Sequence, residues 1–266
     1  MPTLNELVMD QAVHVQVNLA DSLVDAIPKL GHDGVSKSLL DKIVDFMGDP
    51  IPEVRLKVLS NLDKVVGTIG SKRTKEVVLP KLMSLFDDQQ WRIRQNIVQQ
   101  VPLLAQNLGP QLFEQHLFKP FWDMFRDHVA SVRVAATKSL AELGKQMGSD
   151  WCMRHLVPNL SELYKSSKSY LGRITVLYAI EHLCSTPELS EVLNELLPII
   201  KEGTSDSVPN VKFVSAKVIR SLGEVFAANN MSNDIQSSLR KLENDSDKDV
   251  KYFAHNALEE LQKVST

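Results

Sequence analysis

Apolar residues along the chain recur at intervals of three and four, in runs such as LLDKIVDFM (39–47), VRLKVLSNLDKVV (54–66), LPKLMSLF (79–86) and VRVAATKSLAELG (132–144). That period is the mark of helices with one buried face. The runs come in pairs, and a short phrase led by aspartate stands between the members of each pair. It reads DQAVHVQ from Asp10, DPIPEVR from Asp49, DQQWRIR from Asp88, DHVASVR from Asp127, DSVPNVK from Asp206 and DSDKDVK from Asp245. SSKSYLGR, ending at Arg173, fills the remaining slot. The closing residues are Gln16, Arg55, Arg94, Arg133, Arg173, Lys212 and Lys251, so successive spacings are 39, 39, 39, 40, 39 and 39. Pro80, Pro120, Pro158 and Pro198 form a second marker in the first helix of each pair; Asp41 and Ser237 hold the matching places elsewhere. Gly70, Gly109, Gly144 and Gly148 lie near the ends of second helices, where a left-handed glycine is predicted to stop each helix.

Each repeat is therefore helix, turn, helix and linker. A period near 39 with two helices fits HEAT and armadillo repeats and is too long for tetratricopeptide or ankyrin units. One helix pair cannot bury both apolar faces, whereas stacked pairs share a continuous core. The predicted fold is all-α: a curved right-handed α-solenoid of HEAT repeats, each two antiparallel helices. Residues 1–266 form one array, with an incomplete first repeat over 1–31 whose first helix is cut short to roughly LNELVM. Six full repeats follow near 33–70, 72–109, 112–148, 150–187, 189–228 and 232–264. The helix VQVNLADSLVDAI (15–27) carries an apolar stripe where a terminal repeat needs a polar cap. The chain is thus expected to be the latter part of a longer array, by natural shortening or by truncation.

Composition narrows the function. Hydrophobic residues make up 43% and charged residues 24%, as in ordinary folded proteins. With 30 basic and 33 acidic residues the formal charge is −3, which argues against a phosphate-neutralising surface and hence against nucleic acid as a partner. No apolar run approaches the length that crosses a bilayer, so no membrane partner is expected. Cys152 and Cys184 begin and end two antiparallel helices and can lie close, but in a reducing compartment they are read as free thiols. The expected location is the cytoplasm; SKRTK (71–75) is read as a solvated linker, with nuclear import as a secondary reading. The seven histidines show no HExxH and no repeated His-Glu pairs, and the chain has no P-loop and no GxSxG elbow. No cofactor, metal site or catalytic residue is predicted, and the chain is read as a non-enzyme.

DQQWRIRQNIVQQVPLLAQNLG (88–109), DHVASVRVAATKSL (127–140), DKDVKYFAHNAL (247–258), PEVRLKVLSNLD (52–63) and NVKFVSAKVIRSLG (210–223) resemble the scaffolding A subunit of type 2A protein phosphatases. The likeness extends over essentially the whole chain and is to roughly the carboxy-terminal half of that family. The resemblance implies a non-catalytic scaffold whose turns hold a serine/threonine phosphatase catalytic subunit. It also implies a further partner, a regulatory B-type subunit, weakened here because that subunit docks on amino-terminal repeats. By motif, the implied contact turns carry Trp91, Arg92 and Arg94; Arg133; Tyr170, Leu171 and Arg173; Asn210, Val211 and Lys212; and Asp249, Lys251 and Tyr252. Ala130 and Gly172 depart from the family pattern by being small. The alternative is a transport or trafficking adaptor of the karyopherin kind, which would use the helices rather than the turns.

Three positions before the closing residue the repeats show Val13, Pro52, Trp91, Ala130, Tyr170, Pro209 and Lys248. Variation inside a regular repeat is where recognition can be written, and large aromatics often anchor interfaces. Trp91 and Tyr170 stand as anchors or as packing for their own helix pair; sequence leaves both open. The recurring acids and bases, including Asp49, Asp88, Asp127, Arg55 and Arg133, read instead as structure. Each aspartate can cap free amides, and each basic residue can pair with it or with a neighbouring repeat's aspartate. Ser166 interrupts that ladder and Gly172 lies nearby, so this repeat is expected to be a compliant joint with faster hydrogen exchange than its neighbours.

Overall fold

A computed structural model describes residues 12–264, and no strand occurs among them. The LNELVM helix and the start of the first aspartate phrase lie outside the described residues. The chain divides into two compact bodies, one reaching Ala136 and the other beginning at Thr137.

In the first body, α1 (Val13–Gly34), α2 (Lys37–Phe46), α3 (Pro52–Leu59), α4 (Leu62–Arg73), α5 (Leu79–Leu85), α6 (Trp91–Leu108) and α7 (Phe118–Asp123) follow in order, and α8 (Ala130–Met147) crosses the division. Second helices stack on second helices: α1 packs on α3 and α4, and both pack on α6. The reason is visible in α6, which buries Ile93, Ile97, Val98, Val101, Leu104, Ala105 and Leu108 along one broad face. Each large aliphatic side chain among them contributes roughly 1.5–3 kcal/mol on leaving water. The second body repeats the scheme with α9 (Val157–Ser166), α10 (Tyr170–Cys184), α11 (Leu193–Thr204), α12 (Pro209–Ser221), α13 (Gly223–Ala228), α14 (Ser232–Leu242) and α15 (Lys248–Val264). There α9, α11 and α14 form one layer and α10, α12 and α15 the other.

The recurring prolines explain a local irregularity. Pro80, Pro120 and Pro158 lack the N–H that an α-helix would use, and a single π turn precedes each: Thr74–Val78, Phe113–Leu117 and Cys152–Leu156. The run 54–66, which reads as one helix, is broken at Ser60 and Asn61. Asn61 has φ −123° and ψ 25°, and its side-chain amide donates to the Lys57 carbonyl at 2.9 Å, drawing the backbone out of the helix.

The glycine expectation needs two corrections. Gly31, Gly70, Gly109 and Gly148 all have positive φ, 66° to 85°. At Gly70 and Gly109, however, ψ is 170° and 163°, which is the extended region open only to glycine rather than the left-handed helical one. These four recur every 39 residues, and Gly31 was missing from the set read by sequence. Gly144 belongs to another class. It lies buried inside α8, where a Cβ would come within 2.7 Å of Leu183 and 2.9 Å of Leu189.

Candidate docking turns

The turns between paired helices are built on their aspartates. Each accepts the amide two residues on: Asp49 from Ile51 at 2.8 Å, Asp88 from Gln90 at 2.8 Å and Asp127 from Val129 at 2.7 Å. In the second body Asp206 accepts from Val208 at 2.8 Å and Asp245 from Asp247 at 3.0 Å. The aspartate therefore closes the turn ahead of the helix instead of capping the helix itself. In the repeat that lacks the aspartate, Ser169 instead caps its helix directly, accepting the Leu171 amide at 3.2 Å.

Four of the bases then reach into the next repeat. Arg94 Nη1 donates to its own turn's Asp88 carbonyl at 2.7 Å, while Nε and Nη2 grip the next turn's Asp127 carboxylate at 2.6 and 2.9 Å. Arg173 repeats the fork on Asp206 at 2.6 and 3.0 Å. Arg55 pairs with Asp88 at 3.1 Å and Lys212 with Asp245 at 2.7 Å. Of the two pairings open to sequence, each of these four bases takes the following repeat's aspartate. Burial alone would push the Asp127 carboxyl up; the Arg94 hydrogen bond and the Val129 amide outweigh it and hold the carboxyl below its ordinary value. The same contact raises Arg94.

Those pairs decide which expected contact residues face outward. Arg94 is 6% exposed and Val211 fully buried, so both leave the contact surface: one is held by Asp127, the other by the core between α12 and its neighbours. Arg133, Arg173 and Lys212 are half-buried, with Arg133 Nη1 on the Asp127 carbonyl at 2.7 Å. Trp91 is half-buried at the start of α6, and the exposed Arg92 guanidinium lies 4.5 Å from its ring centre. In the second body Tyr170, Leu171 and Tyr252 are exposed by 38%, 42% and 61%, and Asn210, Asp249 and Lys251 are exposed as well.

Sequence reasoning missed an aromatic cluster beside Tyr252. Phe213 and Phe253 lie 5.6 Å apart, and Lys217 Nζ sits 5.1 and 4.2 Å from their ring centres. The signal available was Phe213 and Tyr252, which stand one period apart directly after the closing lysines. Among the described residues no group of three or more His, Cys, Asp or Glu side chains could hold a metal ion, and no helix is long and apolar enough to cross a membrane.

Paired helices, turn aspartates and a carboxylate–base ladder define an all-α repeat protein of the HEAT and armadillo class. The family described as PIK3R4-like, middle domain, matches residues 29–163, half of the chain, and the chain belongs to it. It is also similar to the regulatory A subunit of protein phosphatase PP2A from Saccharomyces cerevisiae, 33% identical over 134 residues. This bears out the resemblance read from the turn motifs, over a narrower extent: 48% of this chain and 21% of that relative are covered. Among solved structures, a chain from the Kap95p–RanGDP complex superposes with a TM-score of 0.62 at 16% identity, covering 100% of this chain and 36% of that one. Cex1p gives a TM-score of 0.58 at 14% identity, over 99% of this chain and 52% of that one. At such identities these two show the fold alone.

Proposed function

We propose that the chain is a non-catalytic scaffold that holds a type 2A-like serine/threonine phosphatase catalytic subunit on its turns and positions it within a larger assembly. The observation that carries this reading is the chemistry left exposed once the ladder has taken its share of the turn residues. In the first body Trp91 and Arg92 remain at a turn. In the second, Tyr170, Leu171, Asn210, Asp249, Lys251 and Tyr252 remain. Aromatic and arginine side chains presented by rigid turns are the residue types that dominate binding energy in protein interfaces. Similarity to a regulatory component of a phosphatase supports the partner, and a regulatory B-type subunit would add its own contacts in that assembly. The same reading treats residues 1–266 as one repeat array at work in the cytoplasm.

The test is capture from native lysate by the full chain and by Trp91→Ala. Recovery of a phosphatase catalytic subunit by the first and a fall of at least about thirtyfold in affinity with the second, the ~2 kcal/mol of an aromatic anchor, is expected. Equal recovery by both, or a different partner altogether, overturns the reading. The karyopherin-like alternative draws support from fold alone and would leave Trp91→Ala without effect.

A further inference from the structure

The first body contains an open notch between two successive turns, beside the Arg55–Asp88 pair of the ladder. Its volume is about 360 Å³, within the range of ligand-binding clefts. Pro50 and Pro52 form one wall and Gln89 and Gln90 the other, with the Arg55–Asp88 pair along its lining. Lys81, from α5, reaches into it. Its ammonium occupies the space that a side chain at Gly48 would fill, since a Cβ there would overlap Lys81 Nζ. The backbone at Gly48 has no positive φ, so what glycine gives there is room for the end of the Lys81 side chain in this rotamer.

The charges in the notch do not cancel. Arg55 is matched by Asp88 at 3.1 Å, with both side chains 11% exposed. Lys81 has no ion pair among the described residues and is half-buried, so it has lost part of its hydration without gaining a counter-charge. One uncompensated positive charge is left, edged by amide side chains that can both donate and accept hydrogen bonds.

We infer that this notch binds a carboxylate side chain carried by an extended segment of a partner protein. A single cation suits a singly charged anion; a phosphate dianion would bring a second negative charge towards Asp88 with nothing to meet it. The proline rings offer apolar walls for an extended chain, and the glutamines offer partners for its backbone. The inference rests on the reading that the turns dock a protein, but not on which protein that is.

The experiment is an amide NMR titration of the full chain with Ac-Pro-Glu-Pro-NH2, Ac-Pro-Gln-Pro-NH2, sodium acetate and inorganic phosphate. The glutamate peptide is expected to give saturable shifts at Gly48, Lys81, Gln89 and Gln90. Affinity should be at least about tenfold weaker for the glutamine peptide, for acetate, and for the glutamate peptide on Lys81→Met. Lys81→Gln serves as a second variant should the first perturb α5. Absence of saturable shifts, equal affinity for the two peptides, unchanged binding by both Lys81 variants, or an affinity for acetate or phosphate matching the peptide would overturn the proposal. A chain that captures the phosphatase but ignores the peptide sinks the notch alone. One that binds the peptide but captures no phosphatase sinks only the partner assignment.

Discussion

Removing Arg94 is the sharpest perturbation of the ladder. Its side chain is 7% exposed and that of Asp127 4%, the most buried pair of the series. Arg94→Ala leaves the Asp127 carboxylate in the interior with the Val129 amide at 2.7 Å and the exposed His128 ring at 3.6 Å. It also strips the Asp88 carbonyl of a donor at 2.7 Å. Breaking a buried pair by deleting one partner costs about 3–5 kcal/mol, and the surviving amide bond places this case near ~3. Repeat arrays depart from two-state unfolding, so amide hydrogen exchange in α6 is a cleaner assay than a global melt. Protection there should fall roughly a hundredfold at pH 7, the factor that ~3 kcal/mol implies. Arg55→Ala, whose pair is 11% exposed on both sides, should cost less. Because the Asp127 carboxyl is held below its ordinary value, its contribution is complete above about pH 4. It disappears as pH falls through the lowered value, so the wild type and Arg94→Ala should converge in acid. A loss below about 1 kcal/mol at pH 7, or a gap that persists in acid, would refute the account.

Gly144→Ala should destabilise the second body by about 1–2 kcal/mol, because the new methyl meets Leu183, Leu189 and Cys152 at 2.7–3.1 Å and overpacking outweighs the gain in helix propensity. Gly67→Ala, with nothing within 4 Å, should instead stabilise by about 0.5–1 kcal/mol, and urea titrations of both variants check the contrast. The buried Tyr164 hydroxyl has no hydrogen-bond partner among the described residues, so Tyr164→Phe should leave stability within about 0.5 kcal/mol of the wild type or raise it. Thermal melts that show a loss above about 1.5 kcal/mol would contradict that. His255, hydrogen-bonded to Glu243 at 3.0 Å and near Glu259 at 3.4 Å, should titrate above its ordinary value by NMR. The stability it adds is whole below about pH 6.5 and is lost as pH rises through the raised value. Glu243→Gln should return the midpoint towards the ordinary value.

The period, the pairing of helices and the place of the turns are legible along the chain because each of these is local. Apolar spacing sets a helix face, an aspartate two residues before an amide closes a turn, and Pro80, Pro120 and Pro158 each follow a π turn, whereas Pro198 does not. Trp91, Tyr170 and Tyr252 stand out as candidates in the same way, since an aromatic that breaks a regular pattern is visible without coordinates. Which groups meet across repeats was settled only by the stacking of the helix pairs. The offset between stacked pairs brings Arg94 to the Asp127 carboxylate while it keeps the Asp88 carbonyl of its own turn, and the two together leave it 6% exposed. Val211, on α12, is fully buried as well. The break at Asn61 turns on a side-chain bond that competes with the helix, and the Lys81 ammonium finds its place against Gly48 only when α5 lies beside the preceding turn. Periodicity is written residue by residue, whereas the burial and pairing of a charge depend on the neighbour that stacking delivers.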